Sequence, residues 1–341
     1  MKKPFLVLKT LFLTVALLAF SGLSSTSLAS GTEPTEATEK FDASEVILHH
    51  VMDDHQWHFT DHLVLPLPII IYSSEKGLAL FMSSNFFDEH HNPVDYNGYK
   101  LDHNHIFTVE TGTPVLDLSI TKNVVMLFIN AGLLLFVFLS VAKAYKTNTG
   151  KAPKGLQSFI EPIVIFVRDE IVKPNIGHHY QKYLPYLLTL FFFILFGNLL
   201  GLLPGAGNLT GNIAVTFVLA IITFLITNLS GNAAYWKHLF WTPGVPLALR
   251  PLILPVEIIG IFTKPFALTI RLFVAITAGH IVLLSLICLT FIFGSYLVGA
   301  GASIVVVFIN LIELLVAGIQ AYVFTLFTSL YIGMATAEDH H

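Results

Sequence analysis

Two apolar stretches near the C-terminus, residues 251–297 and 303–335, are longer than one membrane crossing requires. A helix spanning the ~30 Å hydrocarbon layer needs ~20 apolar residues. As helices the two stretches would run ~70 Å and ~50 Å at 1.5 Å per residue, so each must tilt steeply, break or fold back. Three shorter apolar runs, 124–141, 186–203 and 213–229, suit single crossings. With 54% hydrophobic and 12% charged residues, the chain has the bilayer as its main solvent. The sequence therefore predicts an all-α polytopic membrane protein with about five transmembrane helices.

The N-terminus carries an address. Lys2, Lys3 and Lys9 accompany the apolar run LFLTVALLAFSGL, and SLAS offers small residues for cleavage after Ala29. Residues 1–29 are thus expected to be a secretory signal peptide, with an uncleaved membrane helix as the alternative. Either reading puts residues 30–117 outside the cytoplasm of a bacterial cell. This segment is polar, acidic and rich in histidine. The spacing of His55, His58 and His62 predicts a helical face, while HLVLPLPIIIYS and GLALFMSSNFF predict short strands around a turn at Glu75, Lys76 and Gly77. A small extracytoplasmic α+β module follows. The three imidazoles could share zinc or copper, but they alternate with solvating aspartates and no cysteine or glutamate completes a zinc signature. A solvated polar surface is the simpler reading. The single cysteine, Cys288, lies in an apolar run and reads as a small core hydrophobe.

Basic residues set the orientation of the membrane domain, residues 118–341. Lys143, Lys146, Lys151 and Lys154 follow the first apolar run, and Lys237 and Arg250 follow the third. The segments GLLPGAGNLTGN and GSYLVGAGA carry no charge. The positive-inside rule then assigns the basic loops, and the C-terminal AEDHH, to the cytoplasm. Between the first two runs, LQSFIEPIVIFVRDEIVKP mixes apolar residues with Glu161, Arg168, Asp169 and Glu170, which predicts one interfacial amphipathic helix.

Against this background the stretch TIRLFVAITAGHIVLLSL is costly, because it holds Arg271 and His280. An arginine at mid-membrane costs ~2.5–3.5 kcal/mol even on the lenient insertion scale, and it cannot shed its proton. It could snorkel to the headgroups, with Lys264 marking the boundary; otherwise it faces water or a carboxylate. Further on, Glu313, Gln320 and Tyr331 fall within about 20° of one line at ~100° per residue. A polar stripe with a carboxylate looks like the wall of a hydrated path. Nine residues turn His280 to roughly the opposite side of its helix from Arg271.

The segments PVEIIGIFTKPFALTIRLFVAITAGHIVLLSL and NLIELLVAGIQAYVFTLFTSLYIGMA resemble, in order, spacing and polarity, the C-terminal half of subunit a of the F-type ATP synthase. A weaker resemblance extends back to about residue 118. It implies a non-catalytic subunit whose last two helices are long and steeply tilted. Arg271 would face the rotating ring of c subunits and Gln320 would pack near it. His280 and Glu313 would form the extracytoplasmic inlet half-path, and Glu257 would belong to the cytoplasmic half-path. Many bacterial members carry the acid and imidazole in exchanged positions; the order here resembles the mitochondrial form. Ala275 and Ala267 stand where the family often has an asparagine and a hydroxyl. The implied partners are the c-ring, the subunit b peripheral stalk and other F0F1 subunits in a bacterial plasma membrane. No cofactor and no nucleic acid enter, and the resemblance assigns no task to the histidine-rich module.

Two other classes compete. A secondary transporter could hold a membrane arginine and acid, but it would usually show internal repeats, and none is visible between the halves of this domain. A membrane-anchored metal-binding protein would place function in the exported histidines. No phosphate-cradling glycine loop or nucleophile elbow supports an enzyme.

Overall fold

The computed structural model describes residues 52–60, 63–73, 77–87, 94–102, 105–109, 112–147, 152–203, 205–240 and 250–337. The expected signal peptide, His62, the turn residues Glu75 and Lys76, and the AEDHH tail from Glu338 onward lie outside them.

The module is built from short antiparallel pairs. Strands β1 (Gln56–Thr60) and β2 (Leu63–Pro66) pair with an irregularity between His58 and Thr60. β3 (Pro68–Ser73) pairs with β4 (Gly77–Met82) on one side and with β7 (Leu116–Asp117) on the other, giving the order β4-β3-β7. β5 (Tyr99–Asp102) and β6 (His105–Thr108) form a third pair. Three consecutive isoleucines make β3 a strong strand former, and Ile69 and Ile71 are buried against Phe86, Tyr99 and Ile106. The expected helix over the histidines is corrected: β1 is a strand, with Trp57 opposite Leu65. The pairing with β2 and the aromatic, β-branched content of QWHFT outweigh the i, i+3 spacing.

The module is bound closely to the start of the first membrane helix, α1 (Lys122–Thr147). Asp53 accepts hydrogen bonds from the Thr121 hydroxyl at 2.8 Å and from the Asn123 N–H at 3.1 Å, and the Lys122 N–H donates to the Asp54 carbonyl at 2.9 Å. A carboxylate at a helix N-terminus satisfies orphan N–H groups and complements the dipole. His55 Nε2 lies 2.8 Å from Asp117 Oδ2. The Trp57 indole donates to the Gly205 carbonyl at 2.6 Å, fastening β1 to an interhelical loop.

After α1 comes α2 (Leu156–Phe166), continued by a wider π-helical turn, Val167–Val172, and a short α turn, Lys173–Ile176. Then follow α3 (Tyr180–Gly201), α4 (Ile213–Leu229), α5 (Ala233–Phe240), α6 (Arg250–Phe293) and α7 (Tyr296–Thr336). Among the described residues, four helical stretches are long and apolar enough to cross a membrane: 122–147, 156–201, 253–293 and 296–336. α4 is the fifth apolar helix, with 17 residues. The segment expected to be the amphipathic interfacial helix is continuous, through Val167–Ile176, with the approach to α3, and Val167, Ile171 and Val172 are fully buried.

The uncharged segment GSYLVGAGA is shorter as a loop than expected. Only Gly294 and Ser295 interrupt the helices, with Gly294 at φ +54°, a conformation open to glycine at little cost. α6 and α7 therefore have 44 and 41 residues, or roughly 66 and 62 Å at 1.5 Å per residue, about twice the hydrocarbon thickness. Each is unbroken between its ends, so neither breaks nor folds back within itself. Leu187, Phe192 and Ile194 of α3 are fully buried in one apolar cluster that also takes residues from α1, α4, α6 and α7. Ala220, Ala317 and Ala321 are buried as well, and small residues of this kind let helices approach closely in lipid.

Candidate functional site

The site lies between α6 and α7. The two run antiparallel, and three contacts fix their register. Lys264 Nζ lies 5.3 Å from the Tyr331 ring centroid, Arg271 Cζ lies 4.2 Å from the Phe327 ring centroid, and the Glu313 carboxylate occupies the space beside Gly279 where a Cβ would stand. Residues seven apart on α6 and four apart on α7 share a helical face, so Lys264 and Arg271 meet Tyr331 and Phe327 as consecutive rungs. The Phe327 and Tyr331 centroids are 6.0 Å apart.

Arg271 is half-buried, and its buried Nη1 has no hydrogen-bond partner among the described residues. Among the described residues no carboxylate forms an ion pair with it. The Phe327 face is its contact, an attraction of ~0.5–2 kcal/mol depending on desolvation. That falls short of the insertion cost of a charge in lipid.

Glu313 is buried, 8% exposed, and among the described residues neither carboxylate oxygen has a hydrogen-bond partner. Its seat on Gly279 puts it next in the chain to His280, which is half-buried. Gln320 is half-buried on α7 between Glu313 and Phe327, so the register levels it with the stretch of α6 from Arg271 to Gly279. The buried stripe of α7 runs through Ala317, Ala321, Phe324 and Thr328; Glu313, Gln320 and Tyr331 line one edge of it. The register thus brings Arg271, Gln320 and Tyr331 into one seam, with Glu313 farther along it against Gly279 and His280 next in the chain to that glycine.

Glu257 stands apart, near the start of α6. Burial, and then the charge of Glu257, raise the Tyr235 hydroxyl above its ordinary range. A narrow cavity follows along α6, lined by Thr223, Thr227, Asn228, Tyr235, Lys264 and Tyr331. Sequence reasoning treated Lys264 only as a boundary mark and missed this cavity; its seven-residue spacing from Arg271 was the available signal. Reasoning from sequence also passed over two asparagines. Asn130 donates to the Phe193 carbonyl at 3.0 Å, and Asn198 donates to the Ala317 carbonyl at 3.2 Å while accepting from Thr210 at 2.6 Å. Amides inside apolar helices mark helix-to-helix bonds. Phe327 and Gly279 gave no signal, being apolar or small among similar neighbours. No group of three or more His, Cys, Asp or Glu suited to a metal occurs among the described residues.

Comparison with known proteins places this seam in a wider set. The family described as ATP synthase A chain matches residues 124–333, which include the whole arrangement from Arg271 to Tyr331. A second family, described as a domain of unknown function (DUF8433), matches residues 46–126, the module and its junction with α1. The chain is similar to the ATP synthase subunit a 2 of Chlorobaculum tepidum, 51% identical over 234 residues, which cover 66% of each chain. It is similar to the ATP synthase subunit a of Chloroherpeton thalassium, 46% identical over 243 residues covering 70% of this chain and 72% of that one. The ATP synthase subunit a of Anaeromyxobacter sp. is 39% identical over 321 residues, covering 91% of this chain and 75% of its own. The chain thus spans about two thirds to three quarters of these relatives' lengths. With more than half its residues inside the family match and the long helical pair present, the chain belongs to the ATP synthase A chain family of membrane proteins.

Proposed function

We propose that the chain is the proton-translocating stator subunit of an F-type ATP synthase, with Arg271 opposite the carboxylates of a rotating c-ring. The observation that carries this reading is the guanidinium of Arg271: among the described residues its buried Nη1 has no hydrogen-bond partner, and an aromatic face stands beside it in place of an anion. A permanent cation in lipid needs a counter-charge, and a ring carboxylate arriving from outside this chain supplies one.

Protons enter from the extracytoplasmic side past His280 and Glu313. An imidazole titrates near neutrality and can pass a proton to a neighbouring carboxylate. The proton then neutralises a ring carboxylate, which travels through lipid. Arg271 favours the ionised form of each returning carboxylate, so the proton is released toward Glu257 and the cavity at Lys264 and Tyr331. Gln320 holds the seam between Arg271 and the inlet. The fixed charge of Arg271 also repels hydrated cations, which keeps the two half-paths separate. Subunit b and the other F0F1 subunits would hold the chain still against the ring.

The test is Arg271→Ala in the assembled complex, in inverted membrane vesicles. The expected result is loss of ATP-driven proton pumping, a rise in passive proton leak, and unchanged copurification with the c-ring. Coupled pumping at the parent rate would overturn the reading. Normal ion movement by the isolated chain without a ring would point to a transporter.

A further inference from the structure

The sheet β4-β3-β7 has apolar side chains on both faces. Ile69 and Ile71 point into the module core. On the opposite face Leu78 and Leu80 are 69% and 70% exposed, Leu116 and Leu118 are 59% and 58% exposed, and Tyr72 and Met82 are also exposed. The register sets these side by side. Leu116 is opposite Tyr72, and Tyr72 is opposite Leu78. Ile70 is opposite Leu80 and accepts a hydrogen bond from the Leu118 N–H. An antiparallel sheet with one face in water normally alternates apolar and polar residues, and a contiguous apolar face of this kind marks an interaction surface.

We propose that this face rests on the outer leaflet of the bilayer, with its leucines and Met82 at the acyl boundary and Tyr72 at the level of the headgroups. Three observations favour lipid as the occupant. The first is continuity. Leu118 is still on the face, and α1 begins at Lys122, four residues later and so no more than ~14 Å of chain away. The outward side chains of α1, such as Phe128 and Ile129, are exposed and belong to the membrane surface of the protein. The second is rigidity. The hydrogen bonds of Asp53 and Asp54 to residues 121–123, and of Trp57 to Gly205, hold the module at the helix end and prevent it from swinging into bulk water. The third is composition. Among the described residues the face carries aliphatic side chains, Met82 and one tyrosine, and no charged residue. A protein partner would be met by anchors such as arginine or tryptophan, whereas aliphatics with an aromatic rim suit the membrane interface. With no lysine or arginine among the described residues of the face, the contact depends on apolar insertion and is insensitive to anionic lipid and to salt.

The test uses the assembled complex in phosphatidylcholine bilayers, with acyl chains brominated or not. In a Cys288→Ala background, which removes the only native cysteine, Leu80→Cys and Leu116→Cys are labelled with a bimane fluorophore, and Lys100→Cys, exposed on β5, serves as the control. Brominated lipid should quench the first two labels at least twofold, independently of salt, and leave the control unchanged. Water-like emission at both leucine positions would overturn the proposal. Blue-shifted emission indifferent to bromine would also overturn it, because a protein would then cover the face. Should the Leu80 label prevent assembly, Tyr72→Cys on the same row gives the same readout.

Discussion

The carboxylate of Glu313 is seated directly on the backbone of Gly279, one residue before His280. The close approach exists because residue 279 has no side chain. It fixes how deep the acid on α7 can sink against α6, at the level of the residue that precedes His280. Among the described residues neither carboxylate oxygen has a hydrogen-bond partner, so its position is determined by shape.

Gly279→Ala should therefore move the acid without unfolding the protein. The added methyl would meet the end of a flexible side chain, which can swing aside. The expected outcome is normal assembly with ATP-driven pumping slowed on the order of tenfold, equivalent to ~1.4 kcal/mol of barrier. Vesicle acidification measured beside ring copurification checks it; an unchanged pumping rate would detach the Glu313 position from the path.

Gly333→Ala should behave differently, because the neighbour there is backbone. A Cβ at Gly333 would stand inside the carbonyl oxygen of Asn175. That carbonyl cannot retreat easily: the Asn175 side chain is bonded to the Ile171 carbonyl at 2.7 Å and to the Ser329 hydroxyl at 3.0 Å. Overpacking of this kind costs ~1–3 kcal/mol. The expected result is a lower yield of assembled complex and a lower thermal midpoint, with the specific pumping of what does assemble less affected than in Gly279→Ala.

Phe327→Leu removes the ring from beneath Arg271 while keeping the site apolar. The loss of ~0.5–2 kcal/mol of cation–aromatic attraction should slow pumping between about twofold and thirtyfold. Phe327→Tyr should restore most of the rate, since it keeps a π face at the same place. Equal rates in all three proteins would show that the 4.2 Å contact does not position the guanidinium.

The sequence made the membrane helices easy to find, because hydrophobic run length is a local property: the run expected at 213–229 coincides with Ile213–Leu229. The β3–β4 hairpin was readable for the same reason, from two short apolar runs on either side of a turn. Arg271 and Glu313 stood out because charge is rare in such surroundings. What stayed hidden depends on contacts between distant segments. The strand at Trp57 is decided by pairing with β2 and by a hydrogen bond to Gly205, so local histidine spacing misled. Phe327 and Gly279 gain their meaning only from the register of two long helices, which no pattern within either helix specifies.

The junction of module and membrane helix gives a pH prediction through Asp117. Burial alone would raise its carboxyl, but hydrogen bonds from the side chains of His55 and Ser119 and from the Ser119 backbone outweigh it and hold the group below the ordinary 3.8. The group is thus depressed in the folded state. Its contribution to stability is complete above 3.8 and is lost as pH falls through the lower folded value. The module should stay clamped from neutrality down to about pH 4 and loosen below it. Asp117→Asn should weaken the clamp by ~1–2 kcal/mol at neutral pH, allowing for the water that reaches a partly exposed carboxylate, and should flatten the acid limb of the profile. Limited proteolysis of the module in membranes, compared at neutral and acid pH for both proteins, checks it. A parent profile that begins to fall well above pH 4 would assign the clamp to another group.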